Sequence, residues 1–365
     1  MSERDLPQLL LHLPKSDLHV HLRGAIPPAV LVELLNRHGV EEALRGISDR
    51  HLALLQSCAN VRPFLTARRW SEEEVSQLFR YESFDNFLLT FFFTGLFVRT
   101  AADLRLLIGG VLDEFARQRV VYAEISVSAI EYVNRGLPLP QIVECLEEAT
   151  EHPRVRVQWI VDLVRDYGPK CALAQVKELI ARRSPAVIGI TIGGSEHHYP
   201  PAQFREAYVL ARDHGLRLSV HAGEAAGPES VWDALRVLGA ERIGHGVCAV
   251  EDPALVTYLA EHHIPLEVCP TSNLFTGVCA SYDAHPAKAL FDAGVPITVN
   301  SDDPTFFRTT LAEEYACLPR MGFTAAEAVQ TIRNGFAHAF LSEAERAAYL
   351  AEFDREARDP QGAEP

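Results

Sequence analysis

Short apolar runs that end in polar or small residues recur eight times along this chain, at residues 16–22, 120–127, 155–164, 186–192, 217–220, 242–244, 265–268 and 296–300. Helical patterns separate most of them, at 139–150, 170–181, 201–214, 230–238, 253–262 and 287–293. Such alternation predicts a parallel sheet covered by helices, and eight units in 365 residues predict an α/β protein of the (β/α)8 TIM-barrel class. An open doubly wound sheet is the alternative, but no G-x-G-x-x-G follows the first run. Two regions break the rhythm. Residues 27–119 are too long for one crossover and read as a helical insertion after the first strand. The tail from Thr324 is rich in Ala and Glu and reads as helical, with residues 359–365 expected to fray. Residues 1–365 are thus expected to form a single barrel domain.

Composition narrows the partners. The net charge of −15, from 49 acidic and 34 basic residues, opposes binding to nucleic acid or an anionic membrane. The most apolar run, 87–98 (FLLTFFFTGLFV), has twelve residues, whereas a membrane span needs about 20. It reads as a buried helix or a pocket wall. Seven irregularly spaced cysteines without a C-x-x-C pair, and an N-terminus without a signal-peptide pattern, suggest a reduced, cytoplasmic setting.

Functional groups of a barrel sit where strands end. The first run carries His19 and His21, which alternation places on one face, while Leu18, Val20 and Leu22 suit burial on the other. Alone, such a pair reads more readily as a solvated polar edge, or as two histidines satisfied by hydrogen bonds, than as half of a metal site. Later runs end in Gly193-Gly194-Ser195-Glu196, His221-Ala222-Gly223-Glu224, Gly244-His245-Gly246, Cys269-Pro270-Thr271-Ser272-Asn273 and Asn300-Ser301-Asp302-Asp303-Pro304. Convergence of polar groups at one barrel end favours a site. His19, His21 and His221 supply three nitrogens. Asp302, next to the first strand once the barrel closes, supplies an oxygen and leaves a position open, as in a catalytic zinc site. Asp302 also reads as a helix N-cap. None of the four lysines lies at a predicted strand end, where a bridging ligand for a second metal would be needed, so one ion is expected.

The set H-x-H-L-x-G-A (19–25), H-A-G-E (221–224), G-H-G (244–246), P-T-S-N-L-x-T-G (270–277), H-P (285–286) and N-S-D-D-P (300–304) resembles the adenosine deaminase family of metal-dependent hydrolases over residues 14–340. The resemblance implies hydrolytic conversion of a purine 6-amino group to a 6-oxo group with release of ammonia, using one zinc ion that makes a hydroxide available near neutral pH. It casts Glu224 as a protonated carboxyl that donates to ring N1 and His245 as general base or electrostatic partner. Asp303 would meet N7 and the Gly194 N–H would meet N3. His285, His197 and His198 receive no firm role.

Arg23 departs from the family pattern, which has an aspartate or glutamate there. An arginine suits a carboxylate or phosphate. With a wall of phenylalanines it points to aminodeoxyfutalosine, the carboxyphenyl nucleoside of the futalosine route to menaquinone. Adenosine, adenine, methylthioadenosine and AMP are the alternative substrates. A non-catalytic purine-binding protein on the same barrel is the alternative of another class, although no ligand or acid is missing. A cytidine-deaminase fold would need P-C-x-x-C, which does not occur.

Overall fold

Each of the eight apolar runs forms a strand. The computed structural model describes residues 9–358 apart from positions 11, 67 and 82. Its strands are β1 Lys15–His21, β2 Val120–Val127, β3 Arg156–Asp162, β4 Val187–Thr191, β5 Arg217–Ala222, β6 Arg242–His245, β7 Leu266–Val268 and β8 Ile297–Val299. They pair in parallel and in sequence order. β8 returns to β1 through one bridge, Val20 with Asp302. There the His21 N–H donates to the Asp302 carbonyl and the Asp302 N–H to the His19 carbonyl, both at 2.9 Å. Side chains complete this seam: Asn300 Oδ1 accepts the Leu18 N–H at 2.9 Å, and Asp17 accepts the Ser301 hydroxyl. The chain folds as the expected (β/α)8 barrel.

Alternation along β1 buries Leu18 and Val20, with Leu22 just beyond the strand, and turns His19 and His21 to the other face. The barrel interior carries charge. The Arg242 guanidinium on β6 binds Glu124 on β2 and Glu267 on β7, and Glu124 also accepts the Tyr122 hydroxyl at 2.8 Å. A buried cation held between two carboxylates avoids the cost of an unpaired charge. Lys15 begins β1 and donates to the Leu10 and Leu13 carbonyls at 2.7 and 2.8 Å, at the end of the strand away from His19 and His21.

Between β1 and β2 lie helices Pro28–His38, Val40–Ala43, Asp49–Ser57, Glu72–Ser76, Phe84–Gly95 and Ala101–Arg117. The last starts in a capping box between Thr100 and Asp103. The buried Asp103 carboxylate also accepts from Arg37 Nη1 at 2.7 Å and His38 Nε2 at 2.8 Å, tying the first helix of the segment to its last. The Phe-rich run falls mainly in Phe84–Gly95, with Phe93 and Phe97 buried and Phe84 and Leu88 exposed. No helix among the described residues is long and apolar enough to cross a membrane. The pattern at 230–238 starts earlier than expected, at Pro228, and ends in a π-turn, Ala234–Leu238, stopped by Gly239. The tail forms helices Ala325–His338 and Glu343–Arg358; residues 359–365 lie outside the described ones.

Candidate active site and metal centre

β1, β5 and the residues after β8 bring His19, His21, His221 and Asp302 together. His21 Nε2 lies 3.2 Å from His221 Nε2 and 3.3 Å from Asp302 Oδ1. His19 Nε2 lies 3.6 Å from the same oxygen. Four ligands at zinc bond lengths of about 2.0–2.1 Å stand roughly 3.4 Å apart at the corners of a tetrahedron, so this spacing fits a small cation. Other ring atoms also suit a metal. His19 Nδ1–H donates to Glu267 Oε2 at 2.9 Å, which frees its Nε2 lone pair, and His221 Nδ1 lies 3.2 Å from Thr191 Oγ1. His19 Nε2 is buried without a hydrogen-bond partner among the described residues. The donor set is wider than four side chains. Ligand atoms of His19, His221 and His245, and those of His19, Cys269 and Asp302, also lie within 4.8 Å of one another. Asp302 and His245 both have left-handed backbone, φ 59° in each, an uncommon conformation for such residues that is often kept at functional sites.

Glu224 and His245 face the cluster from its β5–β6 side. His245 Nε2 is 3.6 Å from Glu224 Oε2 and 4.0 Å from Asp302 Oδ2. Burial, and then the charge of Asp302, push the Glu224 carboxyl up to about 8, so it carries a proton at neutral pH. Burial pushes the His245 imidazole down to about 4, so it is neutral there. A relay sets its tautomer. The Ala287 N–H donates to His285 Nδ1 at 3.2 Å, His285 Nε2–H donates to Asn273 Oδ1 at 3.1 Å, and Asn273 Nδ2 donates to His245 Nδ1 at 3.2 Å. The proton of His245 therefore sits on Nε2, toward Glu224 and Asp302.

Glu196 is the largest omission of the sequence reading. Its carboxylate accepts the backbone N–H groups of Gly223, Glu224, Ala225 and Ala226 at 2.6, 3.2, 2.8 and 2.9 Å, and the Ser230 hydroxyl. It staples the turn that carries Glu224. Arg165 does similar work beside it, donating to the carbonyls of His221, Ile192 and Tyr199. The glutamate of the Gly-Gly-Ser-Glu run was visible in the sequence, but its partners were not.

A cavity of about 620 Å³ opens over these groups. His21, His221, Glu224, His245, Asp302, Asp303 and Gly194 line its floor, and Phe84, Phe87, Leu88, Phe91 and Phe307 form an apolar wall. A larger hollow of about 700 Å³ beside Arg183, His214 and Arg217 holds none of the site groups. Asp303 Oδ1 is buried without a partner among the described residues, and burial pushes its carboxyl up. Gly194 has φ +101°, and a Cβ there would stand 2.1 Å from Asp166 Oδ2. His197 lines the cavity, and His198 bonds Ser195 Oγ at 2.6 Å. Arg23 is buried and does not line the cavity. It pairs with Glu131, which does, and lies 3.8 Å from the ring centre of Phe91.

Buried imidazoles and carboxylates spaced for a metal, beside a protonated acid at the C-terminal end of a barrel, define a metal-dependent hydrolase. The adenosine deaminase family model matches residues 67–356, and the chain belongs to that family. It is 34% identical over 358 residues to the aminodeoxyfutalosine deaminase of Streptomyces avermitilis, covering 96% of this chain and 93% of that one. The adenine deaminase of Arthrobacter aurescens superposes with a TM-score of 0.81 at 25% identity, over 95% of this chain and 99% of that one. An amidohydrolase of Burkholderia ambifaria with bound Zn superposes with a TM-score of 0.76 at 26% identity, over 96% and 92%. The chain is accordingly a hydrolytic, metal-dependent purine deaminase.

Proposed function

We propose that this enzyme deaminates aminodeoxyfutalosine in a cytoplasmic futalosine route, with one zinc ion held by His19, His21, His221 and Asp302. The ion, when bound, supplies a water activated for attack near neutral pH. The chain's own groups supply the rest. Glu224 donates its proton to ring N1 while oxygen adds at C6, so the ring accepts the electron pair without building up charge. His245, with its proton on Nε2, donates a hydrogen bond to the incoming oxygen; the relay from His285 favours this electrostatic role over that of a base. Asp303, which burial raises to about 7, donates to N7 in its protonated form, and the Gly194 N–H donates to N3. Of the water's two protons one passes to the amino group, the C6–N bond breaks and ammonia leaves; the other restores the Glu224 acid, and the 6-oxo purine keeps its proton on N1.

The observation that carries the reading is the position of Glu224, a half-buried carboxyl raised to about 8 beside the histidine–aspartate cluster. Two features support the substrate. The Phe84–Phe91 wall extends the cavity beyond what a purine occupies, and a curated relative of high coverage acts on aminodeoxyfutalosine. One observation favours adenosine as a second reading: Glu131 already neutralises Arg23. A comparison of kcat/KM for aminodeoxyfutalosine, adenosine and adenine in the wild type and Arg23→Ala decides between them. Aminodeoxyfutalosine should be preferred, and Arg23→Ala should lose about 1.5–3 kcal/mol of that preference. Equal or better activity on adenosine in the wild type would overturn the finer reading.

A further inference from the structure

We propose that Arg23 and Arg135 together form a subsite for a carboxylate on the far end of the substrate's 9-substituent, with Arg135 a specificity-determining residue. The inference rests on the reading of the chain as a purine nucleoside deaminase and extends it to a residue outside the family motifs. Arg23 follows β1. Arg135 caps the C-terminus of the helix Ala129–Asn134, which follows β2. The two guanidinium groups meet at Gly95, near the end of helix Phe84–Gly95. A Cβ on Gly95 would stand 2.4 Å from Arg23 Nη1 and 2.9 and 3.1 Å from the two terminal nitrogens of Arg135. Glycine here leaves the space that two arginines need.

Charge in this corner does not balance. Glu131 pairs with Arg23. Arg23 Nε and Arg135 Nη1 are both buried without a hydrogen-bond partner among the described residues. Burial, and then the charge of Arg23, push Arg135 below its ordinary value. Two cations facing one carboxylate leave room for one more anion, and buried donors without partners are costly until something accepts from them. Glu131, Phe91 and Tyr167 line the cavity, and Glu131 and Phe91 touch Arg23, so the arginines stand directly behind this part of its wall. An aryl group lying against Phe87 and Phe91 would carry a carboxylate toward this pair, where planar guanidinium groups suit its two oxygens. A 5′-phosphate offers the same oxyanion chemistry at the end of a shorter, non-aromatic arm.

The test measures kcat/KM for aminodeoxyfutalosine against its carboxamide analogue, and for AMP against adenosine, in the wild type, Arg135→Met, Arg135→Lys and Gly95→Ala. Metal content and Tm are followed to show that each variant is folded and loaded. The wild type should prefer the carboxylate over the carboxamide by about tenfold or more, the scale of a charged hydrogen bond. Arg135→Met should bring that ratio close to one, mainly through KM. Arg135→Lys should keep part of it, and Gly95→Ala, which crowds both guanidiniums, should lower it. A carboxylate preference that survives intact in Arg135→Met overturns the inference and leaves the deaminase reading standing. So does a wild type that ignores the charge. An AMP preference abolished in Arg135→Met, without a carboxylate preference, also overturns it in favour of a phosphate subsite. Failure to deaminate any of the four purines would strike the deaminase reading itself.

Discussion

The floor and the mouth of the cavity are built by different rules. On the floor the functional side chains hang from strand ends, and several are held by a second group. His19 is held by Glu267, His221 by Thr191, His245 by Asn273 and the Glu224 turn by Glu196. The mouth is formed by helix Phe84–Gly95 and the segment after β2, where Phe84 and Leu88 are 46% and 47% exposed and Arg23 pairs with Glu131 beside Arg135. Rigid, over-determined groups suit chemistry common to a family, because displacement by an ångström costs rate. The exposed face of this helix can change residue by residue without unfolding the barrel, which suits the choice of substrate.

If that division holds, the floor is where substitutions cost most. Glu224→Gln keeps the shape of the acid and removes its proton-donating role; kcat should fall by about 10²–10⁴ while metal analysis shows an unchanged ion content. Asn273→Ala, which breaks the relay to His245, should lower kcat by about 10–100-fold with little change in KM; an unaltered kcat would mean that the tautomer does not matter. Glu196→Gln presents an NH2 group to backbone donors and should cost about 1–3 kcal/mol in denaturant unfolding. It also tests the titration of Glu224. With that carboxyl held at about 8, kcat/KM should fall as pH rises through about 8 and the acid ionises. Removing the negative charge of Glu196 lowers the Glu224 value, so the alkaline limb should move to lower pH. At the mouth, Leu88→Ser should change stability by no more than about 0.5 kcal/mol yet raise KM for an aryl-bearing nucleoside more than for adenine. A large loss of stability there would erase the contrast.

The same division decides what could be read from the chain. Strand positions and the gathering of His19, His21, His221 and Asp302 were legible because barrel geometry converts strand ends into one surface. The holding groups were not. Glu196 acts on backbone N–H groups 27–30 residues away, and Asn273 joins two imidazoles from different loops; a carboxylate or amide bonding to distant backbone or side chains leaves no local pattern. His285, without a firm role from the sequence, has its ring buried behind Asn273. Arg23 stood out as a departure, but its neutralising partner lies 108 residues further on. Arg135, in a loop without a motif, carried no signal at all.

The seam between β1 and β8 has a further consequence for how the enzyme comes into being. His19 and His21, near the start of the chain, meet His221 on β5 and Asp302 beside the bridge from β8 to β1. A ribosome delivers the first pair long before their partners. This four-residue nest cannot form before the last strand is made, so under the proposed ligand set capture of the ion would follow synthesis of that strand. An ion held by these four residues would act as a clasp across the β1–β8 seam, so depletion of metal during expression should yield barrels that open more readily between their first and last strands.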